Sequence, residues 1–279
     1  PGTTLHGQPG YTDMGSYENW HDQTFNLKGF TNYDFQLRFC MAGDHDPHPG
    51  WYIDNVSIEG PPAPNPYCQP GMVLYSSDFE SDNGGFSDGL WNASNNNTWA
   101  YGTATNGPGS CHGGDNCWAT NLTANYADCE DSYISKSLDL SACGNGLETL
   151  YLVYWHWFEF EENTSGCDPM YYDGYTIAWS GDGQSWSQPE TSSFISGGFN
   201  TNSIEATNSG CPVTPWVDGK RGYEYSSGGW VKVVVPIPAE VMTSDFELRF
   251  AAGSDGSASE AGAYIDDVCI AVGDYDVCD

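Results

Sequence analysis

The sequence predicts an all-β sandwich, and three observations carry that reading. A strand-like stretch occurs twice, about 210 positions apart: Phe35-Gln-Leu-Arg-Phe39 with Trp51-Tyr-Ile-Asp-Asn-Val-Ser-Ile58, and Phe246-Glu-Leu-Arg-Phe250 with Tyr264-Ile-Asp-Asp-Val-Cys-Ile270. Self-similarity of this kind marks one structural unit used twice. Short segments alternating apolar and polar residues recur between turns rich in the chain's 34 Gly and 16 Pro, the signature of half-buried strands. Helical periodicity is confined to one turn at Ala239–Met242. Many strands without helices give a sandwich.

Taken in order, residues 1–60 read as the carboxy-terminal half of a repeat, so the chain is expected to begin inside one, as a processed or excised segment. Residues 61–70, rich in proline, read as a semi-rigid extended linker. Residues 71–279 hold the complete unit. Met72–Tyr75 is its first expected strand, and the Asn-, Ser-, Gly- and Asp-rich residues 81–98 read as loop. Trp99–Tyr101, Cys117–Thr120 and Ser132–Leu138 follow as strands. Leu150–Glu162 is the strongest central strand and turns acidic at its end. Tyr175–Trp179 precedes a tight turn with Asp182-Gly183, a pair that supplies positive φ. Gly229–Pro236 and the second copy of the duplicated pair complete the set.

Composition narrows the function. Of the 279 residues, 39% are hydrophobic and 15% aromatic, enough for a core rich in rings, and the formal charge is −31. That charge argues against nucleic acid or an anionic membrane as partner, because both need a basic surface. It suits bound cations or a saline environment. Ten cysteines point to an oxidising, extracellular compartment. Cys111 and Cys117 bracket a Gly-rich loop that a disulfide could close; Cys167 and Cys211 lie in two polar loops that could meet. No apolar run approaches the ~18 residues of a membrane span. Sequons stand at Asn55, Asn92, Asn96, Asn121 and Asn163.

The ordered set Asp78-Phe-Glu80, Trp118-Ala-Thr-Asn-Leu122, Asp131-Ser-Tyr-Ile134, Leu138-Asp-Leu140, Trp155-His-Trp157, Tyr172-Asp-Gly174, Ser180-Gly-Asp-Gly183 to Trp186, and Tyr264-Ile-Asp-Asp-Val268 resembles MAM-like jelly-roll domains of secreted bacterial proteins. Relatives accompany immune-inhibitor-A metalloproteases and form the cleaved-adhesin modules of gingipains. The resemblance covers about 71–272, with 11–60 as a further half. It implies a two-sheet jelly roll, usually non-catalytic, often with a structural calcium near the chain ends. The Cys-bearing insertion around 190–228 departs from the compact pattern.

The acids give the main chemical expectation. Asp78 and Glu80 leave the first strand, Asp266 and Asp267 lie on the last, and Asp115 and Asn116 follow two glycines in the Cys111–Cys117 loop. Calcium takes six to eight hard oxygen ligands, and this set is expected to hold one Ca²⁺ tying first strand to last. The competing reading is ordinary turn and surface acids in an acidic protein. Asp54 and Asn55 occupy the equivalent place in the first copy.

Three weaker readings stand beside it. Glu159 and Glu161 share a strand face and would suit a glycosidase only with two carboxylates set across a cleft. Asp44-His-Asp-Pro-His48 could bind a transition metal, and a solvated loop is the plainer reading. His156 is expected to be a packed strand residue. Trp51, Trp91, Trp99 and Trp186 are candidates for stacking on sugars. The function expected is that of a non-enzymatic adhesion or structural protein of the cell surface, completed by other copies of itself or by the upstream part of its precursor, in filaments if strand addition runs head to tail. A carbohydrate-binding module is the alternative.

Overall fold

The computed structural model describes residues 37, 39, 53–57, 65–144, 148–163, 170–206 and 210–279. The chain divides into two compact units, Pro1–Pro61 and Pro62–Asp279. In the first unit, Leu37, Phe39, Ile53 and Val56 are exposed. Residues 53–57, expected as strand, are not one. Asn55 sits at φ 53°, and its N–H is bonded to the Asp54 carboxylate at 2.8 Å. A left-handed residue whose amide is taken locally cannot extend a ladder.

The described residues of the second unit form twelve strands: β1 (Val73–Ser77), β2 (Ser87–Leu90), β3 (Ala100–Gly102), β4 (Cys117–Ala119), β5 (Asp131–Leu138), β6 (Leu150–Glu159), β7 (Glu162–Asn163), β8 (Met170–Tyr171), β9 (Gly174–Ser180), β10 (Val231–Ile237), β11 (Phe246–Gly253) and β12 (Gly262–Val272). One sheet has the order β10-β6-β12-β4-β3, with β1 also paired to β12; the other runs β2-β5-β11-β9, and β7-β8 is a small ribbon. All the ladders are antiparallel. The expected strands form within a few residues of their anticipated bounds. β2 is the exception: Ser-Asp-Gly-Leu has no apolar alternation and reads as loop, yet it pairs with the edge of β5. The anticipated turn at 239–242 is a 3₁₀ turn over Ala239–Val241.

The two sheets bury a single core. β6 contributes Leu150, Leu152, Tyr154 and Phe158, β10 Val233, Val235 and Ile237, and the facing β11 Phe246, Leu248 and Phe250. Each such side chain stabilises by roughly 1.5–3 kcal/mol on burial. β12 contributes Ala263 and Ile265, then Val268, Ile270 and Val272. The change from odd to even positions comes from a bulge between Asp266 and Cys269 in the β12–β6 ladder, where Asp267 takes φ 48°. An extra residue shifts strand parity and bends the strand. At the same place the other neighbour of β12 changes from β4 to β1.

Two segments close the edges. Residues 65–70, read as linker, form a turn bound to the sandwich by the Cys68–Cys143 disulfide and by Asn65 Nδ2 donating to the Ala142 carbonyl at 2.7 Å. The insertion bridges β9 at Ser187 and Tyr223, β10 at Ser196 and the end of β6 at Ser226. Both sheets are thereby blunted along one side, where an open strand would invite pairing. No helix among the described residues is long and apolar enough to cross a membrane.

Candidate functional site

The β12 bulge turns two acids outward under the loop that Cys111 and Cys117 close with a disulfide. Asp266 is fully buried. Its Oδ2 accepts the backbone N–H groups of His112 at 2.9 Å and Gly113 at 3.1 Å, and its Oδ1 accepts the Asp267 N–H at 2.8 Å. Asp267 Oδ2 meets His112 Nδ1 at 2.6 Å, and the His112 ring stacks on Trp155 at 3.9 Å. On the far side of the loop the two oxygens of Glu80 accept the N–H groups of Asp115 at 2.9 Å and Asn116 at 2.8 Å. Asp78 Oδ1 accepts the Glu80 N–H at 3.1 Å.

Glycine is required here. A Cβ on Gly114, at φ +56°, would stand 2.1 Å from Glu80 Cδ, and one on Gly113 would stand 3.2 Å from Asp267 Oδ2. The loop is thus a cradle that admits carboxylates from both ends of the unit. Beside it, Asp78, Asp267 and Asp279 line a shallow depression of about 330 Å³. Burial, opposed by the loop amides and reinforced by the Asp267 charge, pushes the Asp266 carboxyl up to about 7. All six residues expected to bind calcium lie on β12, at the exit of β1 or in this loop. Their chemistry is that of hard oxygen ligands, but no three of these acids bring their oxygens within 4.8 Å of one another among the described residues, and backbone N–H groups occupy the Glu80 and Asp266 oxygens.

A second acid group went unrecognised in the sequence. Glu161, Asp173 and Asp255 follow β6, precede β9 and follow β11, and each offers an oxygen within 4.8 Å of the other two. Asp173 is 0% and Asp255 2% exposed. The only sequence signal was an acid beside Gly at a strand end, in Tyr172-Asp-Gly174 and Ser254-Asp-Gly256. Glu159 does not join Glu161 there. Glu161 thus lies beside two carboxyls sealed from solvent. Another buried acid, Glu130, accepts Thr98 N and Oγ1, both at 2.8 Å, and Ser132 Oγ.

On the outer face of β11, Arg249 lies over Tyr133 at 3.7 Å, Trp186 at 3.8 Å and Trp91 at 4.5 Å, and bonds Glu247 at 2.8 Å. Trp91 stacks on Trp216 of the insertion, 4.2 Å apart and 7° from parallel. Of the four tryptophans proposed to stack on sugars, Trp91 and Trp186 belong to this half-buried ledge, Trp99 is in the core, and Trp51 lies outside the described residues. His156 is buried beside Tyr175 Oη, and burial lowers its pKa to about 3. It is a neutral core group, as anticipated. Asp44 to His48 lie outside the described residues.

Among the described residues the disulfides are Cys68–Cys143, Cys111–Cys117, Cys129–Cys211 and Cys269–Cys278. Cys211 therefore bonds Cys129, not Cys167, which lies outside the described residues. Sequence offered no means of choosing, because Cys129 becomes a neighbour of Cys211 only when the insertion folds back over β5.

No protein-family model matches the chain, and no curated protein does. Among solved structures it is similar to the CBM22-1 xylan-binding domain of Paenibacillus barcinonensis Xyn10C, at 14% identity and TM-score 0.39 over 74% of this chain and 97% of that one. It is also similar to the K3 cleaved adhesin domain of Lys-gingipain from Porphyromonas gingivalis w83, at 16% identity and TM-score 0.36 over 72% and 99%. The K2 cleaved adhesin domain of Lys-gingipain aligns at 14% identity and TM-score 0.36 over 70% and 98%. Cleaved adhesin domains, anticipated from the ordered motifs, are thus among the structures this chain resembles.

Proposed function

We propose that the chain is a non-catalytic extracellular binding module of the adhesion type, locked by one structural Ca²⁺ between its first and last strands. The observation that carries this reading is the meeting of Glu80, from the first end of the unit, with Asp266 and Asp267, from the last, at one disulfide-closed glycine loop, with Asp78 accepting the Glu80 N–H. Asp115 and Asn116 supply further oxygens from the loop. Bound calcium would supply charge compensation and rigidity and no reaction chemistry. Four disulfides support an oxidising, extracellular setting.

Calcium binding only to the folded state at 100 Kd would add roughly 2.7 kcal/mol. The test is melting with calcium and with EDTA, together with elemental analysis of the native protein. Calcium at one per chain, and a higher midpoint that Asp267→Asn abolishes, are expected. Identical midpoints with no bound calcium would refute the metal.

For partners, the exposed Leu37, Ile53 and Val56 of the first unit favour an apolar contact with another copy of the chain, and assembly into filaments if the contact does not close. Light scattering that finds a stable monomer at all concentrations would remove self-association. The half-buried ledge of Trp91, Trp186 and Trp216 favours a second reading, carbohydrate binding, since aromatic faces and a neighbouring cation suit sugar rings. A glycan array with wild type and Trp186→Ala decides it; a signal unchanged by the substitution counts against the ledge.

A further inference from the structure

The cluster of Glu161, Asp173 and Asp255 is held by a chain of hydrogen bonds. Tyr126 Oη donates to Asp173 Oδ2 at 2.6 Å and accepts from the Glu161 N–H at 3.3 Å. The Asp255 N–H donates to Asp173 Oδ1 at 2.8 Å. Glu161 Oε2 is shielded from solvent and has no hydrogen-bond partner among the described residues. The other charges bearing on Glu161 are also negative, Asp128 and Glu260. Three carboxylates whose oxygens lie within 4.8 Å of one another, two of them sealed from water, resist being ionised together at neutral pH without a cation. A carboxylic O–H inside the group supplies the donor that Glu161 Oε2 lacks.

We propose that Glu161, Asp173 and Asp255 form a proton-held latch, in which one shared proton joins the ends of β6, β9 and β11 and is released to solvent, with loss of fold stability, as pH rises. Asp173 is the main proton carrier. Burial, outweighing the bonds from Tyr126 and the Asp255 amide, raises its pKa to about 8. Glu161 is raised as well, by burial first and then by Asp255, Glu260 and Asp128. A carboxyl whose folded pKa lies above its free value stabilises fully below that free value, near 3.8, and the contribution is gone above about 8. The latch secures the start of β9 and, through Asp255 and the neighbouring Cys129–Cys211 bridge, the base of the insertion. Alkaline conditions therefore loosen that end of the sandwich first.

The test is urea unfolding of the whole chain in EDTA from pH 5 to 9, for wild type and Asp173→Asn. Between pH 5 and 8 the wild-type unfolding constant should rise about tenfold per pH unit more steeply than the variant's, the effect of one extra bound proton. Parallel slopes overturn the latch. Should Asp173→Asn not fold, carboxyl ¹³C NMR of aspartate-labelled Asp266→Asn, which removes the aspartate raised to about 7, gives the same answer: one aspartate titrating near pH 8 supports the latch, and none titrating above pH 6 overturns it. Repeating the unfolding at pH 8 with calcium adds a further arm. A calcium gain larger in wild type than in Asp173→Asn overturns the proton in favour of a cation at this cluster; equal gains support it and locate calcium elsewhere.

Discussion

The acids around the 111–117 loop and the acids at Glu161, Asp173 and Asp255 are made of the same side chains and meet different partners; in the first group Asp266 alone is buried, in the second Asp173 and Asp255 are. In the first group Glu80 meets two backbone N–H groups, Asp266 three and Asp78 one, while Asp267 meets the His112 ring. A glycine-rich loop can present several amides to one anion because no Cβ stands in the way. In the second group the carboxylates lie within 4.8 Å of one another, with one tyrosine hydroxyl and one amide for Asp173 and the Ser257 N–H for Asp255. Burial raises the pKa in both groups, to about 7 for Asp266 with its three amides and to about 8 for Asp173 with one. Amides lower the cost of burying an acid, and facing carboxylates raise it.

The largest expected effect separates the disulfides of the two regions. Cys129–Cys211 spans 82 positions and Cys111–Cys117 spans 6. On the loop-entropy account, Ser replacement of the first pair should cost about 4.5 kcal/mol and of the second about 2.5 kcal/mol. Denaturant unfolding of the two double variants measures the gap. Equal losses would mean that native contacts, and not chain closure, set the contribution.

Glu130 sharpens the comparison, since it receives donors as Glu80 does but is buried like Asp173. Burial wins, raising its pKa to about 7 against the bonds from Ser132 and Thr98. Its proton stabilises fully below the free value of 4.5 and no longer does so above about 7. Wild type should lose about 1.4 kcal/mol per pH unit relative to Glu130→Gln between pH 5 and 7. A pH-independent difference between the two proteins would show Glu130 to be ionised throughout.

Gly114→Ala should cost about 2 kcal/mol, from left-handed strain and from collision with Glu80. Gly109→Ala is its control, with positive φ but open space around the missing Cβ, and should cost about 1 kcal/mol. Comparable losses would imply that the Glu80 clamp contributes nothing. The smallest effect belongs to the aromatic ledge. Trp186→Ala should destabilise by about 1 kcal/mol, chiefly through its contact with Arg249. A loss as large as that of a core aromatic would place the ledge among structural rather than binding surfaces.

The sequence by itself determined the class of fold, most strand positions and the identity of one acid group. Those are local matters. Period-2 alternation in Phe246–Phe250 reports which face is buried, Asp182-Gly183 reports a turn, and Cys111 and Cys117 are close enough in the chain to find each other. Acids at both ends of a unit whose first and last strands adjoin could be matched without coordinates. The tertiary structure decided whatever depends on distant segments. It paired Cys211 with Cys129, because the insertion folds back over β5. It gave the unpatterned Ser87–Leu90 a strand's role, because the β5 edge was open to it. It aimed Asp266 outward through the bulge in β12 and buried it under a loop more than 150 positions earlier. It brought together Glu161, Asp173 and Asp255, whose separate surroundings in the sequence are those of ordinary strand ends. Burial and mutual repulsion are properties of the assembled end of the sandwich, and no single stretch of the chain contains them.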